Sequence, residues 1–364
     1  MRKKILIALH RFVVGGAETQ ALYLAKELRN NGFEVIIGAF GTEVGEGLDR
    51  FKHEDFTCVR WGFQEKLILY PAKTISGFIR KWRYTWLLIN KVRSLGIDIV
   101  IPYTYPANFV FCRWFKRMNV KRAFWNQRDE GRQFLGSSFE KRVLRNASHI
   151  ITNSLEGYQF LNQFTSEPIH LIPNGIDVNK FTSSDHHQSS KNVVMIGNIH
   201  GYKDHITLIH AWQIVAQQFP EYKLLLAGRA GDTFEVCEKF VIDLKLQESI
   251  RFLGVVSDIS SLLSNCSIAV FSSNNEGVPN GILEPMAASL PVVSTNIQGA
   301  KEALGEKYPF LVESGNSNQF AGFIIRLLSD PDLRKEIGSN NRIRLQQNFS
   351  IAKMTKGYIH LLNV

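Results

Sequence analysis

The chain has 364 residues, of which 45% are hydrophobic and 21% charged, the composition of an ordinary soluble globular protein with enough apolar residues for two cores. No window approaches eighteen consecutive apolar residues, so we expect no membrane-spanning helix. The four cysteines lie far apart in the sequence, which argues against a paired zinc motif and against a disulfide framework. A reducing, cytoplasmic location is therefore expected.

The formal net charge of +10 is concentrated in the N-terminal half. Residues 1–180 contain 27 Lys and Arg against 16 Asp and Glu, whereas the remainder contains 16 against 17. Such asymmetry favours a polyanionic partner for the first half, either nucleic acid or an anionic membrane surface. None of the common nucleic-acid-binding modules occurs in the sequence, so we expect no nucleic acid partner.

The first elements form a βαβ pattern. Strand Lys4–Leu9 leads to the glycine pair Gly15-Gly16, where a helix begins, and Glu34–Phe40 is the second strand. A glycine pair at a helix start lets a phosphate approach the backbone amides. It is not the full dinucleotide fingerprint, so it is weak evidence by itself. His10 follows the first strand and is a candidate on the acceptor side of a site.

The segment from Lys66 to Arg93 mixes bulky apolar residues with cations. A helix from Ile75 would place one apolar stripe along its length: Phe78, Ile79, Trp82, Trp86 and Ile89. Arg80, Lys81, Arg83 and Lys91 would lie beside or opposite this stripe. Such a helix can lie on an anionic membrane, or the stripe can face the domain core. The charge asymmetry favours the membrane.

Strand-like runs recur along the rest of the chain, separated by helical stretches. They are predicted at Asp98–Pro102, Arg122–Asn126, Ser148–Asn153, Ile169–Ile172, Val193–Gly197, Lys223–Ala227, Ile250–Leu253, Ile268–Phe271, Pro291–Ser294 and Pro309–Val312. This alternation predicts an α/β fold with parallel sheets. We place an N-terminal domain at residues 1–172 and a C-terminal domain at 173–349, with a last helix in residues 350–364.

Two glutamates, Glu276 and Glu284, follow the buried strand Ile268–Phe271. Pro279 places Glu276 on a loop, and Asn280 is predicted to cap a helix running from Gly281 to about Ser289. The free amides at this helix start (Gly281, Ile282 and Leu283) are suited to a phosphate. Carboxylates beside a phosphate would repel it, so the glutamates are better suited to accept hydrogen bonds from sugar or ribose hydroxyls. The alternative is an ordinary loop with two solvated acids.

The stretch FSSNNEGVPNGILEPMAASLPVVST closely resembles the signature of the retaining glycosyltransferases of glycosyltransferase family 4, which have the two-domain GT-B fold. The family pattern is roughly E-G-x-P-N-x-x-L-E-A-M-A-x-G-x-P-V-V-x-T, and the matching positions are Glu276, Gly277, Pro279, Asn280, Leu283, Glu284, Met286, Ala287, Pro291, Val292, Val293 and Thr295. Gly15-Gly16-Ala17-Glu18 and the segment Ile172–Asp177 resemble the family as well. The resemblance is thin between Thr42 and Ser148.

The resemblance implies two Rossmann-like domains facing each other across a cleft, with the last helix crossing back to the N-terminal domain. It implies a nucleotide-sugar donor whose ribose contacts Glu284 and whose sugar contacts Glu276, with Val256 near the base. The diphosphate would be held by Lys203 and by backbone amides. The other donor-side positions carried over are Gly16, Gly277, Asn280, Gly281 and Ile282.

The chain departs from the family at two places. Asn198 stands where the common pattern has a diphosphate-binding arginine, and His200 stands where a related subgroup has one; Arg229 is a possible substitute. Many members also have a histidine near the end of an N-terminal-domain strand, where this chain has Arg128. We therefore treat Arg128 and Asp129 as acceptor-side candidates, with a structural ion pair as the alternative, and include Arg128 with Glu276 and Lys203 among the catalytic candidates.

No acidic pair stands at a strand end, so we expect neither a catalytic metal nor another cofactor. The sequence Asp330-Pro331-Asp332 lies between two helices, where a cap is expected instead. The predicted activity is a metal-independent, retaining hexosyl transfer from a UDP- or GDP-sugar to a lipid-linked glycan, at the inner face of the membrane. The alternatives are a sugar-nucleotide-binding protein without transfer activity and a GT-B epimerase.

Overall fold

The computed structural model describes residues 2–42, 45–70, 72–129, 131–181 and 189–363. The chain divides into two compact units. The N-terminal unit comprises Met1–Gly175 with Ile351–Val364, and the C-terminal unit comprises Ile176–Ser350. Each unit is an α/β domain built on one parallel sheet, as the sequence predicts.

The N-terminal unit alternates strands with helices. Its strands are β1 (Lys4–Leu9), β2 (Glu34–Ala39), β3 (Thr57–Arg60), β4 (Ile99–Pro102), β5 (Arg122–Gln127), β6 (His149–Thr152) and β7 (Ile169–Leu171). Its helices up to β7 are α1 (Gly16–Asn30), α2 (Glu46–Lys52), α3 (Lys66–Leu69), α4 (Ile75–Ser94), α5 (Tyr105–Trp114), α6 (Ser138–Arg145) and α7 (Leu155–Asn162).

Strand β1 is the centre of the N-terminal sheet. The seven strands follow the order β3-β2-β1-β4-β5-β6-β7, and Ile5 pairs with Val35 on one side and Ile99 on the other. The five residues from Ile5 to Leu9 are fully buried, because helices cover both faces of a parallel sheet. The strand order reverses between β1 and β4, and the carboxyl ends of two such strands border a crevice suited to a ligand.

The C-terminal unit repeats this plan. Its strands are β8 (Asn192–Ile196), β9 (Lys223–Ala227), β10 (Ile250–Gly254), β11 (Ile268–Phe271), β12 (Val292–Thr295) and β13 (Leu311–Val312). Its helices are α8 (His205–Gln218), α9 (Phe234–Asp243), α10 (Ile259–Ser264), α11 (Asn280–Ala287), α12 (Gln298–Leu304), α13 (Ser317–Ser329) and α14 (Pro331–Asn348). The order is β10-β9-β8-β11-β12-β13, so the reversal lies between β8 and β11.

The last helix, α15 (Ile351–Asn363), belongs to the N-terminal unit, which confirms the expected return. The Arg122 guanidinium donates to the carbonyls of Leu361 at 3.0 Å and Leu362 at 2.7 Å. Lys3 Nζ also donates to the Leu362 carbonyl at 3.0 Å. Cations at the carboxyl end of a helix satisfy carbonyls that have no partner inside the helix. These three bonds therefore attach the end of the chain to the sheet at the starts of β1 and β5.

Several helices begin at side-chain caps that the sequence provides. Thr74 accepts from the Gly77 amide at the start of α4, and Ser137 forms a capping box with Glu140 at α6. Asp330 Oδ1 accepts from the Leu333 amide at 3.0 Å, which confirms that Asp330-Pro331-Asp332 is a helix cap. Strand β3 was not predicted, because its four residues are only partly buried and carry no apolar run.

We predict that the N-terminal unit loses stability as the pH falls below about 6.5. The rings of His149 and His170 lie 5.6 Å apart on neighbouring strands. Burial is the main reason that the pKa of both lies below the ordinary value of 6.5; the charges of His170 and then Arg122 lower that of His149 further, and the charge of His360 lowers that of His170. A lowered folded-state pKa contributes stability above the unfolded value, and this contribution is lost as the pH falls through the folded one.

Urea unfolding followed by tryptophan fluorescence tests this prediction, since five of the six tryptophans lie in the N-terminal unit. Between about pH 7.5 and about pH 5.5, a His149→Gln/His170→Gln variant should lose less stability than the wild type. His53 is exposed, so His53→Gln serves as the control and should keep the wild-type pH dependence. An unchanged slope in the double variant would contradict the prediction.

Candidate functional site

Two loops meet where the strand order of the C-terminal sheet reverses. The loop after β8 leads to a short 3₁₀ turn at Gly201–Lys203, and the other loop follows β11. Ser272 Oγ donates to the Lys203 carbonyl at 3.1 Å, and Ser273 Oγ donates to the Tyr202 carbonyl at 3.0 Å. The Asn274 amide donates to the same Tyr202 carbonyl at 2.8 Å. These bonds hold the two loop backbones together.

The loops bring Lys203 and Glu276 into contact. Lys203 Nζ lies 2.7 Å from Glu276 Oε1, and the two side chains are 10% and 19% exposed. The ammonium also lies 4.4 Å from the centroid of the Phe271 ring, where a cation–π interaction favours it. The structure thus places a cation and a carboxylate, both predicted as site residues, at the carboxyl edge of the sheet.

Glycines allow backbone to approach backbone around this pair. A Cβ at Gly281 would lie 2.4 Å from the Ile196 carbonyl oxygen at the end of β8. A Cβ at Gly299 would lie 1.8 Å from the Gly277 carbonyl oxygen in the glutamate loop. Neither distance is possible for a real side chain, so both positions require glycine.

The start of α11 differs from the prediction. The helix begins at Asn280, one residue early, and its N-cap is Pro279, which makes no side-chain cap. The expected cap by Asn280 is therefore wrong. The amides of Ile282 and Leu283 both donate to the Pro279 carbonyl, at 3.1 and 3.2 Å. These two amides are not free, because the first turn closes on that carbonyl, so the prediction of three free amides is wrong for them.

Glu284 lies on α11 and is only 7% exposed. Every residue from Gly281 to Ala287 is buried, so the helix packs on all sides. A buried carboxylate requires hydrogen-bond partners or charges around it. The alternative of two solvated acids is therefore wrong for Glu284 and for the largely buried Glu276.

Asn198 has a structural partner at the position where the family pattern has arginine. Its side-chain oxygen accepts from the Arg229 amide at 3.0 Å, and the Ile199 amide donates to the Arg229 carbonyl at 3.0 Å. Asn198 therefore joins the loop after β8 to the loop after β9. The Arg229 residue is exposed beside it, and Val256 is half-buried after β10. Their donor contacts stay predictions.

His200 is paired with an acid. Its Nδ1 lies 3.1 Å from Asp232 Oδ1, and its ring stacks on Tyr202. This hydrogen bond holds the pKa of Asp232 below its ordinary range. His205, which the sequence did not indicate, is 2% exposed at the start of α8. Burial and then the charges of Lys203 and His200 lower its pKa to about 4, so it is neutral at pH 7 and adds no cation.

The N-terminal unit holds the remaining predicted residues. Gly16 is the first residue of α1, after Gly15 as N-cap. The Glu18 carboxylate folds over this turn, since a Cβ at Gly15 would lie 2.6 Å from its Oε2. His10 Nε2 lies 3.0 Å from Oε1 of the buried Glu65. The two atoms are close but are not aligned for a hydrogen bond.

Arg128 and Asp129 have partners inside the N-terminal unit. The Arg128 guanidinium donates to Asn174 Oδ1 and lies 5.2 Å from the centroid of the Tyr103 ring. Asp129 Oδ1 accepts from the Gln127 side chain and from the Gly131 amide. These contacts favour a structural role, although through hydrogen bonds to amides rather than the ion pair considered from the sequence.

Metal independence stays a prediction. Among the residues described, no three or more His, Cys, Asp or Glu side chains form a group that could hold a metal ion. In the same residues, no helix is long and apolar enough to cross a membrane.

Two family models together match most of the chain, one in each half. Residues 14–180 match "Glycosyltransferase Family 4", and residues 179–344 match "Glycosyl transferases group 1". The solved structure of Anabaena HepE with UDP and glucose has a TM-score of 0.84, with 21% identity over 100% of both chains. The chain belongs to the GT-B glycosyltransferases. The structural likeness shows the fold, and the two sequence matches cover both of its domains.

Other glycosyltransferases are similar to this chain in sequence. A glycosyltransferase of Haemophilus influenzae is 22% identical over 359 residues, 96% of each chain. The capsular polysaccharide biosynthesis glycosyltransferase CapM of Staphylococcus aureus is 31% identical over 179 residues, 48% of this chain and 47% of CapM. The Escherichia coli UDP-Gal:alpha-D-GlcNAc-diphosphoundecaprenol alpha-1,3-galactosyltransferase is 24% identical over 199 residues, 51% of each chain.

We expect Glu284→Ala to lower kcat/KM for the sugar donor by at least about tenfold, because a hydrogen bond to a charged acceptor contributes about 1.5–3 kcal/mol. Glu284→Gln keeps the side-chain volume and serves as the matched variant for packing. Thermal unfolding of both variants separates a lost contact from a lost fold. A folded Glu284→Ala protein with wild-type kinetics would remove Glu284 from the site.

Proposed function

We propose that this GT-B glycosyltransferase transfers a hexose from a UDP- or GDP-sugar to a lipid-linked glycan in cell-surface polysaccharide synthesis, with retention of anomeric configuration. The observation that carries the proposal is the Lys203–Glu276 pair at the switch point of the C-terminal sheet. It combines a cation for a diphosphate with an acceptor for sugar hydroxyls. Ligands of open α/β sheets bind outside the carboxyl ends of strands at such points.

Each donor group has a residue assigned to it. Glu284 accepts from the ribose hydroxyls, and Glu276 accepts from hydroxyls of the transferred sugar. Lys203 neutralises the charge that develops on the leaving diphosphate. Among the backbone amides assigned to the diphosphate from the sequence, that of Ile282 donates to the Pro279 carbonyl inside the helix turn, so we assign it no phosphate contact.

The acceptor hydroxyl attacks the anomeric carbon from the face that the diphosphate leaves. The new bond joins the acceptor oxygen to that carbon, and the bond to the diphosphate oxygen breaks. The departing phosphate oxygen takes the acceptor proton, so no protein base is required. The structural partners of Arg128 and Asp129 support this assignment over one in which either side chain acts as the base.

The class of acceptor is proposed from the relatives. CapM is named for capsular polysaccharide synthesis, and the Escherichia coli enzyme is named for a diphosphoundecaprenol-linked acceptor. A second candidate, a sugar-nucleotide-binding protein without transfer activity, is favoured by one observation. Asn198 stands at an arginine position, and its oxygen is used by the Arg229 amide.

A panel of UDP- and GDP-sugars tests the proposal. At least one donor should stabilise the protein, by about 2.7 kcal/mol at a hundred times its dissociation constant. The same donor should be turned over with a polyprenyl-diphosphate-linked sugar, at an undiminished chemical rate in excess EDTA. Binding without turnover would favour the sugar-nucleotide-binding alternative. Loss of turnover in EDTA, with recovery on adding Mn²⁺, would contradict the metal-independent assignment.

The part of α4 from Phe78 to Trp86 carries an exposed aromatic face. Trp82 is 64% exposed and Trp86 is 53% exposed, with Phe78 and Ile79 beside them. The core-facing alternative is therefore wrong for these four residues. It holds for Ile89, which is 9% exposed and packs in the core with other residues from the second half of α4. We propose that this face rests on an anionic membrane.

The cations near this face are not equivalent. Arg80 and Arg83 are exposed, whereas Lys81 donates to the Tyr70 carbonyl at 2.7 Å. Burial, and then the charge of Arg113, lowers the pKa of Lys81. Aromatic rings at headgroup depth with arginines toward the phosphates are typical of interfacial helices. Arg80 and Arg83 are therefore the residues to test.

The protein should sediment with phosphatidylglycerol-containing vesicles at low salt, and less at high salt, because each basic residue at an anionic surface contributes about 1 kcal/mol. Arg80→Glu/Arg83→Glu should release it without unfolding. The control Lys239→Glu/Lys335→Glu makes an equal charge change at exposed sites of the C-terminal unit and should not release the protein from the vesicles. Equal recovery with anionic and neutral vesicles would rule out the membrane proposal.

A further inference from the structure

The Lys203–Glu276 contact affects whether the site binds the nucleotide-sugar donor or the nucleoside diphosphate product more tightly. Both residues are assigned to the donor, Lys203 to the diphosphate and Glu276 to the sugar, yet in this structure they bind each other at 2.7 Å. Lys203 is 8% exposed as a whole residue, so its ammonium has little access to water. A mostly buried cation is strongly stabilised by a neighbouring carboxylate, and that carboxylate becomes a nearby negative charge for any anion that Lys203 receives.

The loop backbones around Lys203 and Glu276 are held together by hydrogen bonds. Only the ends of these two side chains are therefore expected to rearrange when a ligand binds. The three hydrogen bonds from residues 272–274 to the carbonyls of Tyr202 and Lys203 hold the loops together. Gly299 packs against the carbonyl oxygens of Glu276 and Gly277. An incoming diphosphate therefore meets Glu276 at a fixed place, close to the ammonium that it needs.

We propose, on the basis of the proposed function, that Glu276 is a specificity-determining residue that makes the site favour a nucleotide-sugar over the bare nucleoside diphosphate. In the free protein Glu276 is the counter-ion of Lys203. When a nucleotide-sugar binds, Lys203 turns to the diphosphate and the sugar hydroxyls donate to Glu276. When the sugar has left, the carboxylate loses those donors beside a polyanion, and the product is repelled.

Isothermal titration with UDP and UDP-glucose, and with GDP and GDP-mannose, tests this inference. Glu276→Gln should bind the nucleoside diphosphate about tenfold more tightly than the wild type, because one charge-assisted contact no longer competes. It should bind the nucleotide-sugar no more tightly, and its transfer rate should fall. Glu276→Ala provides a second variant, and Glu306→Gln, an exposed glutamate of the same unit, is the control for net charge.

A double-mutant cycle separates ion-pair exchange from simple repulsion. Lys203→Met should weaken binding of both ligands, and in that background Glu276→Gln should gain less affinity for UDP or GDP than it does with Lys203 present. Suppose the wild type turns over donor but Glu276→Gln binds the nucleoside diphosphate no better than the wild type does. That result would overturn this inference and leave the proposed function standing. Absence of any nucleotide binding by the wild type would overturn the proposed function with it.

Discussion

The reversal of strand order in each parallel sheet is the constraint on which the other features depend. Strand β8 lies between β9 on one side and β11 on the other. The connections after β8 and β11 therefore leave the sheet in opposite directions and open a gap at its carboxyl edge. In the C-terminal unit the gap receives two charged side chains, Lys203 and Glu276. The hydroxyls of Ser272 and Ser273 join the two loops by donating to the carbonyls of Lys203 and Tyr202. The Lys203–Glu276 pair thus lies on two loops whose backbones are joined by hydrogen bonds.

The sequence predicted the sheets well, because buried parallel strands are short apolar runs whose ends are marked by Gly, Pro or Asn. Strands β1, β9 and β11 lie where they were predicted, and the other predicted strands differ by one or two residues at one or both ends. Strand β3 was missed because a partly buried edge strand does not need an apolar run. The start of α11 was misjudged because Pro279, with its fixed backbone angle, already sets the helix entry and makes an Asn280 cap unnecessary.

The site was less predictable than the sheets, because burial and pairing are decided by residues distant in sequence. The motif identified Glu276 and Lys203, but it did not show that they contact each other. Asn198 was considered for its missing charge, and the structure gives it a partner 31 residues away, the Arg229 amide. His205 gave no signal at all. A lone histidine at a helix start looks the same in a sequence whether it is solvated or, as here, buried and neutral.

The two units divide the chemistry unequally. The C-terminal unit, nearly neutral in sequence, buries its charged pair at the edge of its sheet, where burial strengthens electrostatic contacts. The N-terminal unit carries the positive excess and leaves aromatic rings of α4 in water, at an unfavourable hydration free energy. The second half of α4 anchors the helix in the core through Leu88, Ile89 and Val92, so the exposed half can stay folded without burial. This apolar, cationic and structurally anchored face is the basis on which we propose an anionic membrane surface and a lipid-linked acceptor.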